Sequence, residues 1–458
     1  MTTPTFCWES ILKHSSQDTF AWHTRPGAFE RFNPPWRPVR IVQPPQALTD
    51  GNTVHIKVPL IGNFGISWKL IHKDYQEGAQ FCDEQVRGPF QSWRHVHRFI
   101  SEGGSSCRMR DEIFFKPPYG IGLLTPLIKK ELTRLFQYRH MVLKDDLALH
   151  ARWKDLPRKT VLISGSSGFI GSALVAFLST AGHNVLRLVR HEPRNEHERF
   201  WDPLQGRIAP SVFDGVDVVI HLGGESIVGQ RWTPEYKRRI VESRVDSSQL
   251  LCGTIARLSR KPEVVIMASA VGIYGDTKDI PADESSPAGT GFLAETGIAW
   301  ENSARHSLND ATRLVHLRIG TVLNPGGGAL KKMLPPFKLG VGGVLGSGKQ
   351  YMSWIALQDL LGIFEHAIYT PSVQGPVNAV SPIPVTNLEF TKTLGHLLHR
   401  PTILATPASV LRILFGEVAD EALLASSRVA PKALMESGYS YVLPNLHEAL
   451  RFECGISS

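Results

Sequence analysis

Three glycines, Gly165, Gly168 and Gly171, have the spacing and the setting of a phosphate-binding turn. They follow the apolar run Thr160–Ser164, a predicted buried strand, and precede a predicted helix over 172–180. Without side chains, the backbone can approach a pyrophosphate, and the free N–H groups and positive dipole end of the helix attract its charge. The pattern therefore predicts a dinucleotide phosphate site; the alternative is a tight turn that holds no ligand.

A cation occupies the end of the second predicted strand. Arg190 follows Asn184–Val189, at the place where NAD-binding proteins usually carry an Asp or Glu that holds the ribose 2′-hydroxyl. A cation suits a 2′-phosphate instead, so we expect NADP(H) in preference to NAD(H). The alternative is that Arg190 is an exposed charge without a ligand.

The elements that must position these residues alternate between strand and helix. Further short, buried strands are predicted at 216–222, 264–268 and 314–319, and a long predicted helix over 234–258 has proline in its first turn. Such alternation is typical of an α/β protein with a parallel, doubly wound sheet.

Residues 1–148 follow a different pattern. Runs of period-two alternation at 53–58, 66–71 and 93–99 predict half-buried strands, and a helical pattern follows from about 123 to 143. A meander of antiparallel strands closed by one long helix is an α+β layout.

Aromatic and histidine side chains of this region could line a binding site. Five aromatic residues could form a core or line an apolar cavity, and the core is the default interpretation. They are Trp22, Trp36, Trp68, Trp93 and Phe99. His95 and His97 share one strand face, but no third metal ligand is identified, so we interpret them as surface histidines and expect no metal site.

The composition excludes several classes of protein. With 42% hydrophobic and 20% charged residues, the chain is not a disordered tail, a collagen or a coiled coil. It has no apolar run long enough for a transmembrane helix and no signal-peptide pattern. Five scattered cysteines indicate reduced thiols and a cytoplasmic location. The net charge of +8 is spread thinly, so we expect a small-molecule substrate and no nucleic-acid partner.

Several further segments carry a resemblance to known proteins. They are Gly165–Gly171, His221–Glu225, Arg231-Trp232, Ser243–Val245, Ala268–Gly275, Leu317–Leu323 and Gly340–Trp354. These segments resemble the extended short-chain dehydrogenase/reductases, in particular the NAD-dependent epimerase/dehydratase-like "epimerase family proteins", some of which are called SulA-type cell-division inhibitors. The resemblance implies a Rossmann-type doubly wound parallel sheet over 160–380 and a small C-terminal α/β domain over 381–458.

Residues 1–148 carry a second resemblance, which rests on four short segments. They are Arg25–Gly27, Asn33–Trp36, Val86–Phe90 and Tyr138–His140. The region resembles a START-like (SRPBCC, helix-grip) domain, which implies a pocket for a lipophilic ligand. Residues 149–159 would then be a linker.

The resemblance to the reductases implies a role for each matching residue. The pyrophosphate would be held by Gly165, Ser166, Ser167, Gly168, Phe169, Ile170 and Gly171. Arg190 would meet the adenosine phosphate, and Leu222, Gly223 and Gly224 would flank the cofactor. Ser269 would lie beside the nicotinamide and the substrate, and Arg318 near the substrate entrance. Helices such as 234–258 pair in many of these reductases, so a homodimer is implied.

One departure from the family's pattern concerns catalysis. Extended reductases carry Tyr-x-x-x-Lys, in which the Tyr is the acid/base and the Lys lowers its pKa. If Glu301 is the Glu that follows this motif, Leu293 takes the Tyr place and Gly297 the Lys place, and neither side chain transfers a proton.

Substitute groups are available, and each has a structural alternative. Ser269 and Tyr274 are the predicted catalytic residues, although Tyr274 could equally pack in a turn. Glu225, Arg231 and Arg318 are the predicted substrate-binding residues. Arg244 is a further candidate for a substrate phosphate, and Glu295 for acid/base chemistry; an ion pair or a solvated charge explains them as well.

We therefore expect an NADP(H)-binding oxidoreductase or epimerase-like enzyme that acts on a small, unidentified substrate. The alternative is a non-catalytic, dinucleotide-binding redox sensor, which the missing Tyr and Lys favour.

Overall fold

The computed structural model describes residues 5–43, 47–61, 64–118, 122–308 and 312–456. The chain divides into two compact units. The first unit comprises Met1–Asp155, Ser179–Gly182 and Cys454–Ser458, and the second comprises Leu156–Leu178 and His183–Glu453.

The first unit contains an antiparallel sheet in the order β1-β7-β6-β5-β4-β3-β2. Its strands are β1 (Phe6–Leu12), β2 (Arg40–Gln43), β3 (Thr53–Ile61), β4 (Phe64–Gln76), β5 (Gln80–Arg87), β6 (Ser92–Ser101) and β7 (Cys107–Lys116). The period-two runs at 53–58, 66–71 and 93–99 lie within β3, β4 and β6, which confirms the predicted meander.

Three helices belong to this unit: α1 (Ser16–Thr24), α2 (Ala28–Arg31) and α3 (Thr125–Ala151). Helix α3 extends beyond the predicted end near 143 because its apolar positions continue, with Leu147 and Leu149 also buried. Its residues Leu132 and Phe136 share one apolar cluster with sheet residues Ile113 and Phe115. The α+β layout predicted from the sequence is therefore confirmed.

The interior of the first unit is partly apolar and partly polar. Trp22, Trp93 and Phe99 are buried, which confirms their interpretation as core, and Trp36 and Trp68 are partly buried. The interpretation of His95 and His97 as surface residues is wrong, because only 4% and 6% of their areas are exposed. The sequence shows that the two rings share a face of β6 but not that this face points inward.

The second unit contains a larger sheet in the order β11-β10-β9-β8-β12-β13-β14-β18. Its strands are β8 (Thr160–Ser164), β9 (Asn184–Val189), β10 (Glu198–Asp202), β11 (Arg207–Ile208), β12 (Val218–His221), β13 (Val264–Ala270), β14 (Arg313–Ile319) and β18 (Gly375–Ala379). All neighbours are parallel except β10 and β11. The five predicted strands correspond to β8, β9, β12, β13 and β14, apart from shifts of a few residues at their ends, whereas β10, β11 and β18 were not predicted.

Shorter strands and helices complete this part of the chain. The strands are β15 (Thr321–Leu323), β16 (Tyr351–Met352), β17 (Trp354–Ala356) and β19 (Val385–Thr386). The helices are α4 (Phe169–Thr180), α5 (Pro234–Ala256), α6 (Phe292–Ser307), α7 (Gly328–Lys338), α8 (Leu357–Tyr369), α9 (Asn387–Leu397), α10 (Ala408–Phe415), α11 (Lys432–Glu436) and α12 (Leu446–Glu453). Among the described residues, every helix is too short or too polar to span a bilayer.

The order of the parallel strands identifies the fold. The chain runs from β8 outward through β9 to β10, and then returns to the other side of β8 with β12, β13 and β14. This is the doubly wound order of Rossmann-like folds, in which ligands bind outside the carboxyl ends of the strands where the winding reverses. The predicted α/β fold class is confirmed, and the reversal lies between β8 and β12.

Candidate cofactor and active site

The turn after β8 has no room for a side chain at two of its glycine positions. Gly165 has a φ of +69°, and a Cβ there would lie 2.9 Å from the carbonyl carbon of Leu222. A Cβ on Gly171 would lie 2.2 Å from the carbonyl oxygen of Gly165. The amide of Gly168 donates to that same oxygen over 2.9 Å, which closes the turn where α4 begins. Glycine is therefore required at 165 and 171 by the packing alone.

The same turn lies against the segment that follows β12. The contacts of Gly165 with Leu222 and Gly223 bring together two of the predicted cofactor-binding segments at the reversal point. Because α4 begins at Phe169, its first amides follow directly on this turn. The geometry can accept an anion at the amino end of α4.

The predicted residues around this turn differ in exposure. Ser166 is buried, whereas Ser167 and Gly168 are exposed, and Phe169 and Ile170 are partly buried. The ring of Phe169 packs close to Gly327, where a Cβ would lie 2.3 Å from it. That contact fixes the first residue of α4 from the side.

A hydrogen-bonded chain lies behind this crevice and was not predicted from the sequence. Ser164 at the end of β8 contacts His221 Nδ1 of β12 over 2.5 Å, and His221 Nε2 contacts Ser247 Oγ of α5 over 3.0 Å. The Ser247 hydroxyl donates to the Ser243 carbonyl over 2.7 Å, so it must accept from His221 Nε2–H. His221 Nδ1 is then the acceptor for the Ser164 hydroxyl.

The electrostatics of this chain favour a neutral ring. Burial lowers the pKa of His221 to about 4, and the nearby Arg244 guanidinium acts in the same direction. A neutral imidazole ties β8, β12 and α5 together beneath the turn.

Arg190 lies where the sequence analysis places it. It follows β9, its side chain is exposed, and we find no ion pair for it among residues 5–43, 47–61, 64–118, 122–308 and 312–456. The guanidinium is thus available to an anion at the carboxyl end of β9.

The predicted residues Ser269, Tyr274 and Arg318 meet in one buried network around Glu301. Ser269 Oγ donates to Glu301 Oε1 over 2.7 Å. Arg318 donates to both carboxylate oxygens of Glu301, each over 2.8 Å, and from Nη1 to the Tyr274 hydroxyl over 2.8 Å. Burial favours the neutral carboxyl, but the Arg318 hydrogen bonds outweigh it and lower the pKa of Glu301.

Tyr274 is held at the far end of this network. Its hydroxyl donates to Asn378 Oδ1 over 2.8 Å, and the Arg318 guanidinium lies 5.1 Å from the centre of its ring. Burial raises the pKa of Tyr274 even though Arg318 opposes the shift. Because the hydroxyl already donates its single hydrogen to Asn378, Tyr274 can transfer a proton only if that hydrogen bond breaks. Proton transfer by Tyr274 stays a prediction.

Helix α6 presents no proton-transfer group at the two altered motif positions. Leu293 lies 3.4 Å from the place of a Cβ on Gly272, and a Cβ on Gly297 would lie 3.1 Å from Ile273 Cβ. Both positions pack against the turn 271–274. Glu295, in the first turn of this helix, is exposed.

Glu225 and Arg231 lie on an exposed segment between β12 and α5. The amide of Glu225 donates to Ser243 Oγ over 3.0 Å, and Arg231 donates to the carbonyl of Ile413. Neither residue belongs to the network around Glu301.

Arg244 lies beside Gly224, and its surroundings fit an anion-binding role better than those of Arg231 do. A Cβ on Gly224 would lie 3.2 Å from its Cζ, and its guanidinium lies 5.0 Å from the ring centre of Trp300. Burial lowers the pKa of Arg244 to about 10, partly offset by Glu225. Among the described residues it has no ion-pair partner, so it is a cation that an anionic ligand could neutralise.

Comparison with known proteins places the second unit in a family. A model described as the NAD dependent epimerase/dehydratase family matches residues 161–379. Epimerase family protein Mb2239 from Mycobacterium bovis is 44% identical over 292 residues, which are 64% of this chain and 96% of that protein. This chain belongs to the epimerase family proteins.

Other epimerase family proteins match over the same share of the chain. Human SDR39U1 is 37% identical over 294 residues, which are 64% of this chain and 98% of the human protein. A second model, described as a domain of unknown function, matches residues 406–453 of this epimerase family protein. The resemblance inferred from the sequence segments is confirmed at the level of the epimerase family.

Two solved structures extend the comparison. The crystal structure of the nucleoside-diphosphate sugar epimerase from Corynebacterium glutamicum is 32% identical, covers 98% of this chain and 90% of that chain, and superposes with a TM-score of 0.81. The crystal structure of human SDR39U1 isoform 2 with NADPH is 35% identical, covers 64% of this chain and 99% of that chain, and has a TM-score of 0.59. The fold of this epimerase family protein is thus that of its relatives.

Proposed function

We propose that this epimerase family protein binds NADP(H) and acts as an oxidoreductase or epimerase-like enzyme on a small substrate. The observation that carries the proposal is the turn 165–171, where packing excludes a side chain at Gly165 and at Gly171 and the first amides of α4 follow. Such a turn at the reversal point of a doubly wound sheet is the usual pyrophosphate site. The NADPH in the crystal structure of human SDR39U1 supports the proposal.

The choice of NADP(H) over NAD(H) rests on Arg190. Its exposed guanidinium follows β9, where a carboxylate would select the ribose 2′-hydroxyl and a cation selects the 2′-phosphate. Glycines 223 and 224 would flank the cofactor, and Ser269 would lie near its nicotinamide. The nicotinamide ring supplies hydride transfer when the cofactor is bound.

The substrate is proposed to carry an anionic group. Arg244 is desolvated beside Gly224 and has no carboxylate partner within the described ranges, and Arg231 lies on the same connection between β12 and α5. A phosphate or carboxylate could pair with these cations. The nucleoside-diphosphate sugar named for the Corynebacterium glutamicum structure has such a group.

The proton-transfer step cannot follow the usual Tyr–Lys route, because Leu293 and Gly297 replace that pair. Ser269 donates its hydrogen to Glu301, which leaves the lone pairs of its oxygen for a substrate group. Ser269 and Tyr274 remain the predicted catalytic residues. Arg318 donates directly to the Tyr274 hydroxyl and reaches Ser269 through Glu301.

The second candidate is a non-catalytic redox sensor that binds the same cofactor. Positions 293 and 297 favour it, because neither carries an acid or a base. The two candidates differ in turnover: a sensor binds NADPH but does not oxidise it in the presence of a panel of carbonyl compounds and nucleotide sugars.

Isothermal titration with NADPH and NADH tests the cofactor proposal. We expect Arg190→Ala to weaken NADPH binding by about 10- to 100-fold, because a charge-assisted hydrogen bond is lost, and to leave NADH binding unchanged. Arg187→Ala is the matched control, since Arg187 is an exposed arginine within β9. Failure of the unmodified protein to bind either dinucleotide would overturn both candidates.

Three further assignments remain proposals. Residues 1–148 would be the START-like domain with a lipophilic ligand, and 149–159 the linker, supported by the antiparallel sheet and the long helix α3. Residues 381–458 would be the small C-terminal domain, supported by the family match at 406–453. The third proposal is that the protein forms a homodimer through α5 and is located in the cytoplasm.

A further inference from the structure

The inward face of the first unit's sheet carries a row of histidines and aspartates. Across neighbouring strands, His72 of β4 is opposite Asp83 of β5, which is opposite His95 of β6, and His97 of β6 is opposite Asp111 of β7. Pairs directly opposite each other project to the same face of a sheet. The four residues other than Asp83 are less than 9% exposed. Polar groups this deep in a protein need partners.

Asp111 contacts ring nitrogens on three sides. Its Oδ1 lies 2.8 Å from His95 Nε2 and 2.7 Å from His97 Nδ1, and its Oδ2 lies 2.6 Å from Nε2 of His140 on α3. His140 Nδ1 in turn lies 2.6 Å from Ser10 Oγ of β1. Asp111 of β7 therefore connects two histidines of β6 with one histidine of the long helix α3.

Asp83 contacts the other nitrogen of His97 and also contacts His72. One of its carboxylate oxygens lies 3.3 Å from His97 Nε2, and the second lies 2.7 Å from His72 Nδ1. One donor atom each of Asp83, His95 and His97 lies within 4.8 Å of the other two. Three residues thus present imidazole nitrogen and carboxylate oxygen to one small volume.

We propose that Asp83, His95 and His97 bind one divalent transition-metal ion. With metal–ligand bonds of about 2.0–2.2 Å, two donors on one ion are about 3.0–3.5 Å apart, and His97 Nε2 and the Asp83 oxygen are 3.3 Å apart. Imidazole with carboxylate and without thiolate is the donor set of zinc or ferrous-iron sites.

The surrounding contacts are those that orient metal ligands. In established sites, the second nitrogen of a ligating histidine usually meets a carboxylate, which sets the tautomer and the direction of the ring. Asp111 lies 2.8 Å from Nε2 of His95 and 2.7 Å from Nδ1 of His97, so a carboxylate of this kind stands beside both rings. Nδ1 of His72 lies 2.7 Å from the second oxygen of Asp83.

Several buried nitrogens of this sheet face have no hydrogen-bond partner within the described residues. His72 Nε2 and His23 Nε2 are buried and have no hydrogen-bond partner within the described residues. The His97 Nδ1 contact with Asp111 and the His72 Nδ1 contact with Asp83 have ion-pair distances without hydrogen-bond directions. Hydrogen bonds between these side chains thus do not account for all of their donor and acceptor atoms.

Three protein ligands leave at least one coordination position for water or an exogenous ligand. Asp83 is the most exposed of the three, with 19% of its side chain accessible, so such a ligand would reach the ion from its side. A ligand of the first unit would then bind the ion through an oxygen atom, in addition to any contacts made by a lipophilic part of that ligand.

The test uses the full chain, purified without a histidine tag and treated with a chelator. Metal content before the treatment is measured by inductively coupled plasma mass spectrometry. Zn²⁺ is then titrated calorimetrically, and Co²⁺ is used as a probe whose visible absorption reports the coordination. We expect one equivalent of Zn²⁺ to bind and Co²⁺ to develop ligand-field bands.

Two variants and a control make the test specific. His97→Gln and Asp83→Asn should each weaken Zn²⁺ binding at least about 10-fold, as loss of a ligand or its support does. His55→Gln is the control, because His55 of β3 contacts Ser67 and is outside the cluster. NADPH titration of each variant shows whether the second unit is intact.

The unmodified protein alone can overturn the proposal. Absence of bound metal as purified, together with no Co²⁺ bands and no saturable Zn²⁺ heat, would mean that the residues form only a hydrogen-bonded network. Equal Zn²⁺ affinity in the unmodified protein, His97→Gln and Asp83→Asn would place the ion elsewhere and would also contradict it.

Discussion

Arg318 and Glu301 form a two-pronged ion pair in the interior of the second unit, with both hydrogen bonds 2.8 Å long. Ser269 and Tyr274, the predicted catalytic residues, are connected to each other through this pair. The ion pair therefore sets the positions of both side chains.

Glu301→Gln is expected to destabilise the protein by about 3–5 kcal/mol, because it leaves the buried Arg318 charge without its partner. Denaturant unfolding of the full chain measures the effect. Glu295→Gln in the first turn of the same helix is the control and should change stability by less than about 0.5 kcal/mol, since Glu295 is exposed. Equal effects of the two variants would show that the pair contributes nothing.

Tyr274→Phe is expected to cost about 1–3 kcal/mol, because Arg318 Nη1 and Asn378 Oδ1 both lose a buried partner. NADPH affinity should not change if Tyr274 only holds the network. Tyr441→Phe is the comparison, since that hydroxyl donates to the Val380 carbonyl and we find no second partner for it within the described ranges. A large loss of turnover without a comparable loss of stability would instead support a catalytic Tyr274.

The buried ring of His221 predicts a pH dependence. Its pKa of about 4 in the folded protein is below the ordinary value of 6.5, so below pH 6.5 the unfolded chain takes up a proton that the folded chain does not. Stability therefore falls as pH falls from 6.5 to 4, by about 2 kcal/mol between pH 7 and pH 5 from this residue. His221→Gln should remove that part of the slope.

Urea unfolding at pH 7, 6 and 5 compares the unmodified protein with His221→Gln, and His55→Gln is the control. The first variant should lose less stability than the unmodified protein over this range, and the control should follow the unmodified protein. Parallel slopes for all three proteins would mean that His221 is protonated in the folded state.

Gly171→Ala is expected to destabilise the second unit by about 1–3 kcal/mol and to abolish NADPH binding, because the new Cβ would overlap Gly165. Gly253→Ala in α5 is the control, since a Cβ there has nothing within 4 Å. That variant should be more stable by up to about 1 kcal/mol, as alanine is favoured in helices. Normal NADPH binding by Gly171→Ala would contradict the assignment of the turn.

The fold could be predicted because its signals are local and periodic. The first apolar strand of the second unit and its glycine turn occupy 160–171 as one continuous segment, and β3, β4 and β6 alternate with period two. Arg190 could be predicted as a cofactor-binding residue because it directly follows β9 in the sequence. Each of these features depends on neighbours in the chain.

The networks could not be predicted because they depend on strand register and on which face is buried. Ser164, His221 and Ser247 are far apart in sequence and meet only when β8 pairs with β12 under α5. His95 and Asp83 become neighbours through the pairing of β5 with β6. The available signal for these networks was polar residues at alternate positions of a strand. A single sequence does not show whether the face that they share points inward.

The close backbone packing of Gly171 against Gly165 has a consequence for the rate of ligand binding. Since α4 cannot shift toward β8, and the ring of Phe169 restrains it from the side, its leading amides are aimed before any ligand arrives. Docking of a diphosphate would then require little reorganisation of the protein, so association should be fast and affinity should be governed by how slowly the ligand leaves.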